Sequence, residues 1–132
     1  MKKAAAALLC AAVLLTAACS PQAFEFDEDA AVAAAKDVID LVYMLDFDAV
    51  CALFREDVRE MVSAEALGAA VAPILDGAGR FVEYTKAKAV AYNDKQYGEI
   101  IIVAVQAKYE NEKLTYTVSL GRDFSLVGLY IK

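Results

Sequence analysis

Leu114-Thr115-Tyr116-Thr117-Val118-Ser119-Leu120 alternates apolar and polar residues without a slip. Successive side chains on a strand point to opposite faces, so Leu114, Tyr116, Val118 and Leu120 share one buried face. Working outward, Gly121-Arg122-Asp123 has turn composition and leads into a strand from Phe124 to Ile131. In the other direction Glu110-Asn111-Glu112 turns back to a strand over Tyr97–Tyr109. The centre of that strand, Ile100-Ile101-Ile102-Val103-Ala104-Val105, is wholly apolar, which predicts cover on both faces. Asn93-Asp94-Lys95 turns once more, into a strand over Arg80–Tyr92. Four consecutive strands joined by short turns make an antiparallel meander.

Before Gly79 the apolar period is 3.6. Ala35, Val38, Ile39, Val42 and Leu45 form one stripe of a helix from about Asp29 to Leu45, with Asp27, Glu28 and Asp29 at its positive end. Asp46-Phe47-Asp48 breaks the stripe and offers a new N-cap, followed by a short helix with Val50, Leu53 and Phe54 inward. Ser63 caps a third helix through Leu67, Ala70, Val71 and Ile74. Pro73 lies inside that pattern and predicts a kink or an early stop, and Gly77 and Gly79 end it. Helices first and strands afterwards predict an α+β domain, with the helices packed on one face of a curved four-stranded sheet.

The N-terminus has a different composition. Lys2 and Lys3 precede an uncharged stretch from Ala4 to Ala18, 15 residues and too short to span a bilayer, which needs about 20. This layout is that of a secretory signal. Leu15-Thr16-Ala17-Ala18-Cys19 resembles the lipobox of bacterial lipoproteins, with small residues before a cysteine whose thiol can form a thioether with diacylglycerol. Thr16 stands where family examples more often carry Leu; Cys10 follows Leu9, not a small residue. The resemblance implies a signal over residues 1–18, lipidation at Cys19, a tether over 19–28 and a single α+β domain over 29–132. It also implies a palmitate-type anchor in the cell envelope. The attached domain would sit on the outer face of a monoderm plasma membrane, or in a diderm periplasm on a membrane that Ser20 does not restrict to the inner one.

Loss of residues 1–18 leaves eleven cations against nineteen acids, a net charge of −8. Such a domain is expected to be a poor ligand for nucleic acid or anionic headgroups, and the acids, spread along the chain, are expected to form a solvated surface. Only Cys51 remains beside Cys19, so no intramolecular disulfide is expected; its apolar helical setting predicts a small buried hydrophobe. The chain has no histidine, which removes His-based triads and His metal sites. No cysteine pair can hold zinc, and Gly77-Ala78-Gly79 follows a helix, as a C-cap does, rather than preceding one to cradle phosphate. Asp46-Phe47-Asp48 lacks the further ligands of a calcium loop. No metal or cofactor is expected.

Asp46-Phe47-Asp48-Ala49-Val50, Ser63-Ala64-Glu65-Ala66-Leu67, Asp76-Gly77-Ala78-Gly79 and Ser125-Leu126-Val127-Gly128-Leu129 follow one another in an order and spacing that resemble domain-of-unknown-function family 3887, of the nuclear-transport-factor-2-like (cystatin-like) fold. The resemblance spans Ala30 to Lys132. It implies a cone-shaped sheet, a cavity between sheet and helices, and frequent pairing through the outer sheet face. It transfers no catalytic residue.

Two functions stay open. One is a non-enzymatic module that binds a small apolar ligand or a protein partner, either an envelope protein or a second copy, with Tyr43, Tyr84 and Tyr116 lining the cavity. The other is an isomerase- or hydratase-like enzyme with a Tyr and a carboxylate in the cone, as in ketosteroid isomerase, where an Asp abstracts a proton and a Tyr stabilises the oxyanion. Among strand carboxylates only Glu83 and Glu99 occupy apolar surroundings, and both are expected to face solvent. The first function is favoured.

Overall fold

The computed structural model describes residues 23–132, so Cys19 and the expected signal segment lie outside the described residues. Among the described residues four helices precede four strands: α1 (Glu28–Tyr43), α2 (Phe47–Leu53), α3 (Glu56–Arg59), α4 (Ala64–Ala78), β1 (Phe81–Asp94), β2 (Gly98–Tyr109), β3 (Lys113–Gly121) and β4 (Leu126–Ile131). The strands pair antiparallel in the order β1-β2-β3-β4, the expected meander.

Local chemistry explains the helix boundaries. The side chain of Asp27 accepts from the Ala30 N–H at 3.0 Å, Asp46 from Ala49 at 3.2 Å, and Ser63 from Ala66 at 3.0 Å. Each satisfies a donor that has no partner within its helix. α1 stops two residues before the end of its apolar stripe. Leu45 adopts φ 62°, its N–H reaches the Val42 carbonyl at 2.9 Å, and the Asp46 N–H reaches Leu41 at 2.9 Å. This pair of bonds is a Schellman stop, which usually takes glycine at the left-handed position. Leu45 is therefore 56% exposed and leaves the stripe to Ala31, Ala35, Val38, Ile39 and Val42.

Three further expectations are corrected. Leu53 faces outward; Val50 and Phe54 are the buried pair of α2 and its end. α3, a single turn on Val58, was not foreseen. α4 runs through Pro73 to Ala78 without an early stop, burying Val71, Leu75 and Ala78 in place of Ala70 and Ile74. Pro73 and Ala69 both lie on the exposed side, so the carbonyl that loses its amide partner faces water. Cys51, expected to be buried, is only half-buried; burial first, then the charge of Asp48, pushes its thiol pKa up.

The inner face of the sheet closes the core. Ile101, Val103, Val105, Ala107 and Tyr109 of β2 and Leu114, Tyr116, Val118 and Leu120 of β3 are buried beneath α1. The apolar run in β2 is not covered on both faces, however: Ile102 is half-buried and Ala104 exposed on the outer face. Packing begins ahead of residue 29, since Phe24 and Phe26 already lie against the core. At the far edge, Phe54 bridges to Leu126 and the Arg55 N–H donates to the Leu126 carbonyl at 2.7 Å, so the helical layer covers the start of β4.

Candidate functional site

The first of two irregularities in β1 builds the site. Its register against β2 shifts between Phe81 and Glu83 and again between Tyr84 and Lys86. In a regular strand, residues three apart face opposite sides; the one extra residue at the first shift puts Phe81 and Tyr84 on the same side, and the second shift lies beyond Tyr84. Phe81 and Tyr84 therefore both turn inward, opposite Tyr109 and Ala107. Phe81 then becomes the hub of an aromatic cluster. It stacks on Tyr43 of α1 with centroids 4.4 Å apart and planes within 5°. It meets Tyr84 edge-on at 4.9 Å and Tyr109 at 5.7 Å.

Above this cluster lies an open cleft of about 790 Å³, walled by Tyr43, Leu45, Leu75, Pro73, Phe81 and Tyr109. Asp76 and Arg80 stand at its rim. The helix side comes from the end of α1 and the second half of α4; the sheet side comes from the start of β1 and the end of β2. Gly79 makes this approach possible. Its φ of 85° with ψ −156° is a conformation other residues avoid, and a Cβ there would meet Glu110 Cβ at 3.0 Å.

Of the three tyrosines expected to line a cavity, Tyr43 does so. Tyr84 and Tyr116 lie behind the wall. Tyr84 donates from its hydroxyl to Asp40 Oδ1 at 2.5 Å, contacts the Lys36 carbonyl at 3.1 Å, and carries the Lys36 ammonium 5.1 Å from its ring centre. The Tyr116 hydroxyl is fully buried and bonds that of Tyr109 at 2.5 Å. Burial is the main reason all four phenols resist ionisation; the Asp40 charge adds to it at Tyr43 and at Tyr109, and Asp40's hydrogen bond and charge add to it at Tyr84. They are hydrogen-bond donors and packing surfaces, not bases.

A carboxylate does sit beside this cluster, on a helix rather than on a strand. Asp40 occupies a half-buried position of α1, one turn before Tyr43, and sequence reasoning missed it by searching the strands. Phe81 and Tyr109 were missed as well, because the bulge that aims Phe81 has no apolar signature. Asp40 is not among the cleft-lining residues, and one of its oxygens accepts from Tyr84. Glu99 pairs with Arg122 at 3.1 Å at the other end of the sheet, and Glu83 is exposed. Among the described residues no group of His, Cys, Asp and Glu has the clustering of a metal site.

Fold and cleft together define a class: a small α+β domain whose helices lie on a four-stranded antiparallel meander, with an aromatic-floored cleft at one end. Within that class the chain belongs to the family described as Protein of unknown function (DUF3887), which matches residues 35–129. An NMR structure of a protein from Ruminococcus gnavus ATCC 29149 is similar, with a TM-score of 0.70 and 21% identity. The match covers 80% of this chain and 90% of that one, and it shows a shared fold. No curated protein matches the chain.

Proposed function

We propose that this is an exported, lipid-tethered domain that binds a small, largely apolar molecule in the cleft between α1, α4 and the sheet, without transforming it. The observation that carries the binding reading is the cleft itself. Its volume lies within the range of about 300–1,000 Å³ typical of small-molecule sites, and its walls are aromatic and aliphatic with two charged groups at the rim. Support for the non-catalytic part is chemical. Asp76, the carboxylate at the rim, is exposed to solvent, Asp40 beside the aromatic cluster is engaged by Tyr84, and burial holds the phenols protonated. The export and tether rest on Lys2, Lys3, the uncharged Ala4–Ala18 and the small residues before Cys19.

Ala72 is half-buried on the cleft wall, and Ala72→Trp would fill the space with little cost to the core. An uncharged fluorescent naphthylamine should bind the native chain, and this variant should bind it at least about tenfold more weakly, a loss of about 1.4 kcal/mol. Equal binding by both, with unchanged melting temperature, would place the ligand elsewhere. Metabolic labelling with a fatty acid should mark the protein and vanish in Cys19→Ala; persistence of the label would show that Cys19 is not the lipid site.

A further inference from the structure

The charges divide between the two layers. Up to Asp76 the segment from Glu25 carries three cations and thirteen acids, a net of −10; from Gly79 onward eight cations face six acids, a net of +2. The expected even scatter of acids therefore does not hold. Within the sheet layer the meander concentrates the positive charge further. Lys86 and Lys88 project from the outer face of β1, opposite Gln106 and Ala104 of β2. Lys108 and Lys113 pair across β2 and β3, and Lys132 is hydrogen-bonded to Thr115 on that face. These five lysines are exposed on one face, from mid-sheet at Lys88 to its end at Lys108 and Lys113, with the exposed Glu83 opposite Lys108. Among the described residues no ion pair engages any of them, the ion pairs involving Arg55, Arg80 and Arg122. Lys86, Lys88, Gln106 and Thr115 border a groove of about 540 Å³ between β1 and β3. On the same face Tyr92, farther along β1 past the Val90–Ile102 pair, is 51% exposed, and Tyr130, on β4 level with Lys88, is 63% exposed.

From this we infer that the outer sheet face is a docking surface for an anionic phospholipid bilayer, the membrane to which the chain is tethered; the inference rests on that tether. Two observations select this occupant. The first is charge complementarity: lysines near an anionic surface each contribute about 1 kcal/mol, roughly fivefold in binding, whereas the helical face is repelled. Its acids lie a layer away, about one Debye length, and are largely screened from the contact. The second is reach. Phe24 lies against Arg122, 4.5 Å from ring centre to guanidinium, in the turn at the sheet end opposite the lysines. Five residues from Cys19 span at most about 17 Å, so that end stays close to the bilayer. From Gly121 the lysines are reached along β3 at about 14 Å for Lys88 and out to about 27 Å for Lys108 and Lys113, at roughly 3.4 Å per residue. Attachment at both ends lays the sheet flat on the surface, with Tyr92 and Tyr130 at headgroup depth, where tyrosines are favoured. The aromatic cleft opens at the lysine end of the sheet, beside the bilayer, where an apolar ligand partitioned in lipid can enter it.

The test uses the purified full-length, lipid-bearing protein, with the lipid on Cys19 verified by peptide mass. It is added to vesicles of phosphatidylcholine alone or mixed with phosphatidylglycerol. Acetylation by an amine-reactive reagent is followed residue by residue. Lys86, Lys88, Lys108 and Lys113 should react about fivefold or more slowly on the anionic vesicles at low salt, with Lys36 unchanged and the difference lost at high salt. Equal rates on both vesicles overturn the inference. So does protection on both that grows with protein density, which would mean that a second copy covers the face. If Cys19 carries no lipid, the tether has failed independently; salt-sensitive co-sedimentation with the anionic vesicles alone then supports the face by itself, and its absence rejects it. A variant with Lys86, Lys88 and Lys113 changed to Gln, all exposed, should keep its circular dichroism and lose the protection of Lys108.

Discussion

Gly79 and Leu45 both line the cleft, and both have positive φ, at 85° and 62°. They illustrate how one backbone angle acts at the scale of a residue. Glycine meets its requirement at no steric cost; leucine holds a left-handed conformation at roughly 1–2 kcal/mol, and in doing so swings out of the core to line the cleft. Gly79→Ala should destabilise the domain by about 1–3 kcal/mol, since it adds strain to a contact of 3.0 Å with Glu110. For about 100 residues that lowers the melting temperature by roughly 4–8 °C per kcal/mol, measurable by thermal denaturation. An unchanged melting temperature would show that the helix end can rearrange. The turn role of Gly79 was legible in the sequence. The left-handed Leu45 was not, because its side chain continues the apolar stripe and only the backbone stop at Asp46 removes it.

Elements obey their periods until geometry intervenes. β3 alternates in the structure as in the sequence, since one face is buried under α1 and the other is open. β1 does not: the first of its two register shifts places Phe81 and Tyr84 on the same side, and without it the aromatic floor of the cleft would be split across the sheet. Pro73 is the corresponding case in α4. The helix absorbs it because the orphaned carbonyl is on the solvent side, but a hydrogen bond is still missing. Pro73→Ala should therefore stabilise the domain by about 1–2 kcal/mol, seen as a higher urea midpoint at constant slope. A fall in the midpoint would mean that the proline ring holds the cleft wall in place. Element type was thus readable from period alone, whereas side-chain direction in β1 depended on bulges that only strand pairing reveals.

For the whole molecule, ionisation behaviour follows from composition and burial together. With no histidine, stability should be flat from about pH 5 to 8, above which the unfolded Cys51 thiol begins to release a proton that the folded one holds. Tyr43, Tyr84, Tyr109 and Tyr116 all have raised pKa values in the folded state, chiefly by burial. Their stabilising contribution is complete below the unfolded value near 10 and is lost as pH rises above it, where the unfolded chain releases protons that the folded one retains. Each such phenol should cost about 1.4 kcal/mol per pH unit above 10. Urea unfolding between pH 9 and 11 should show this decline, shallower in Tyr116→Phe. That variant should also lose about 1–3 kcal/mol at neutral pH, because the buried Tyr109 hydroxyl would be left without its partner. A flat profile through pH 11 would show that the phenol cluster is open to solvent.

The sequence by itself determined the order of elements, the capping residues, the meander and most of the core. Each of these depends on neighbours a few residues apart, and hydrophobic periodicity reports such neighbours directly. It also held the charge asymmetry of the two halves, visible once the layers are known. Only the tertiary structure decided which aromatics share a wall, that Asp40 lies beside Tyr84, and that Lys86, Lys88, Lys108, Lys113 and Lys132 converge on one face. Those residues come from different elements, and bulges and strand register, not local period, bring them together.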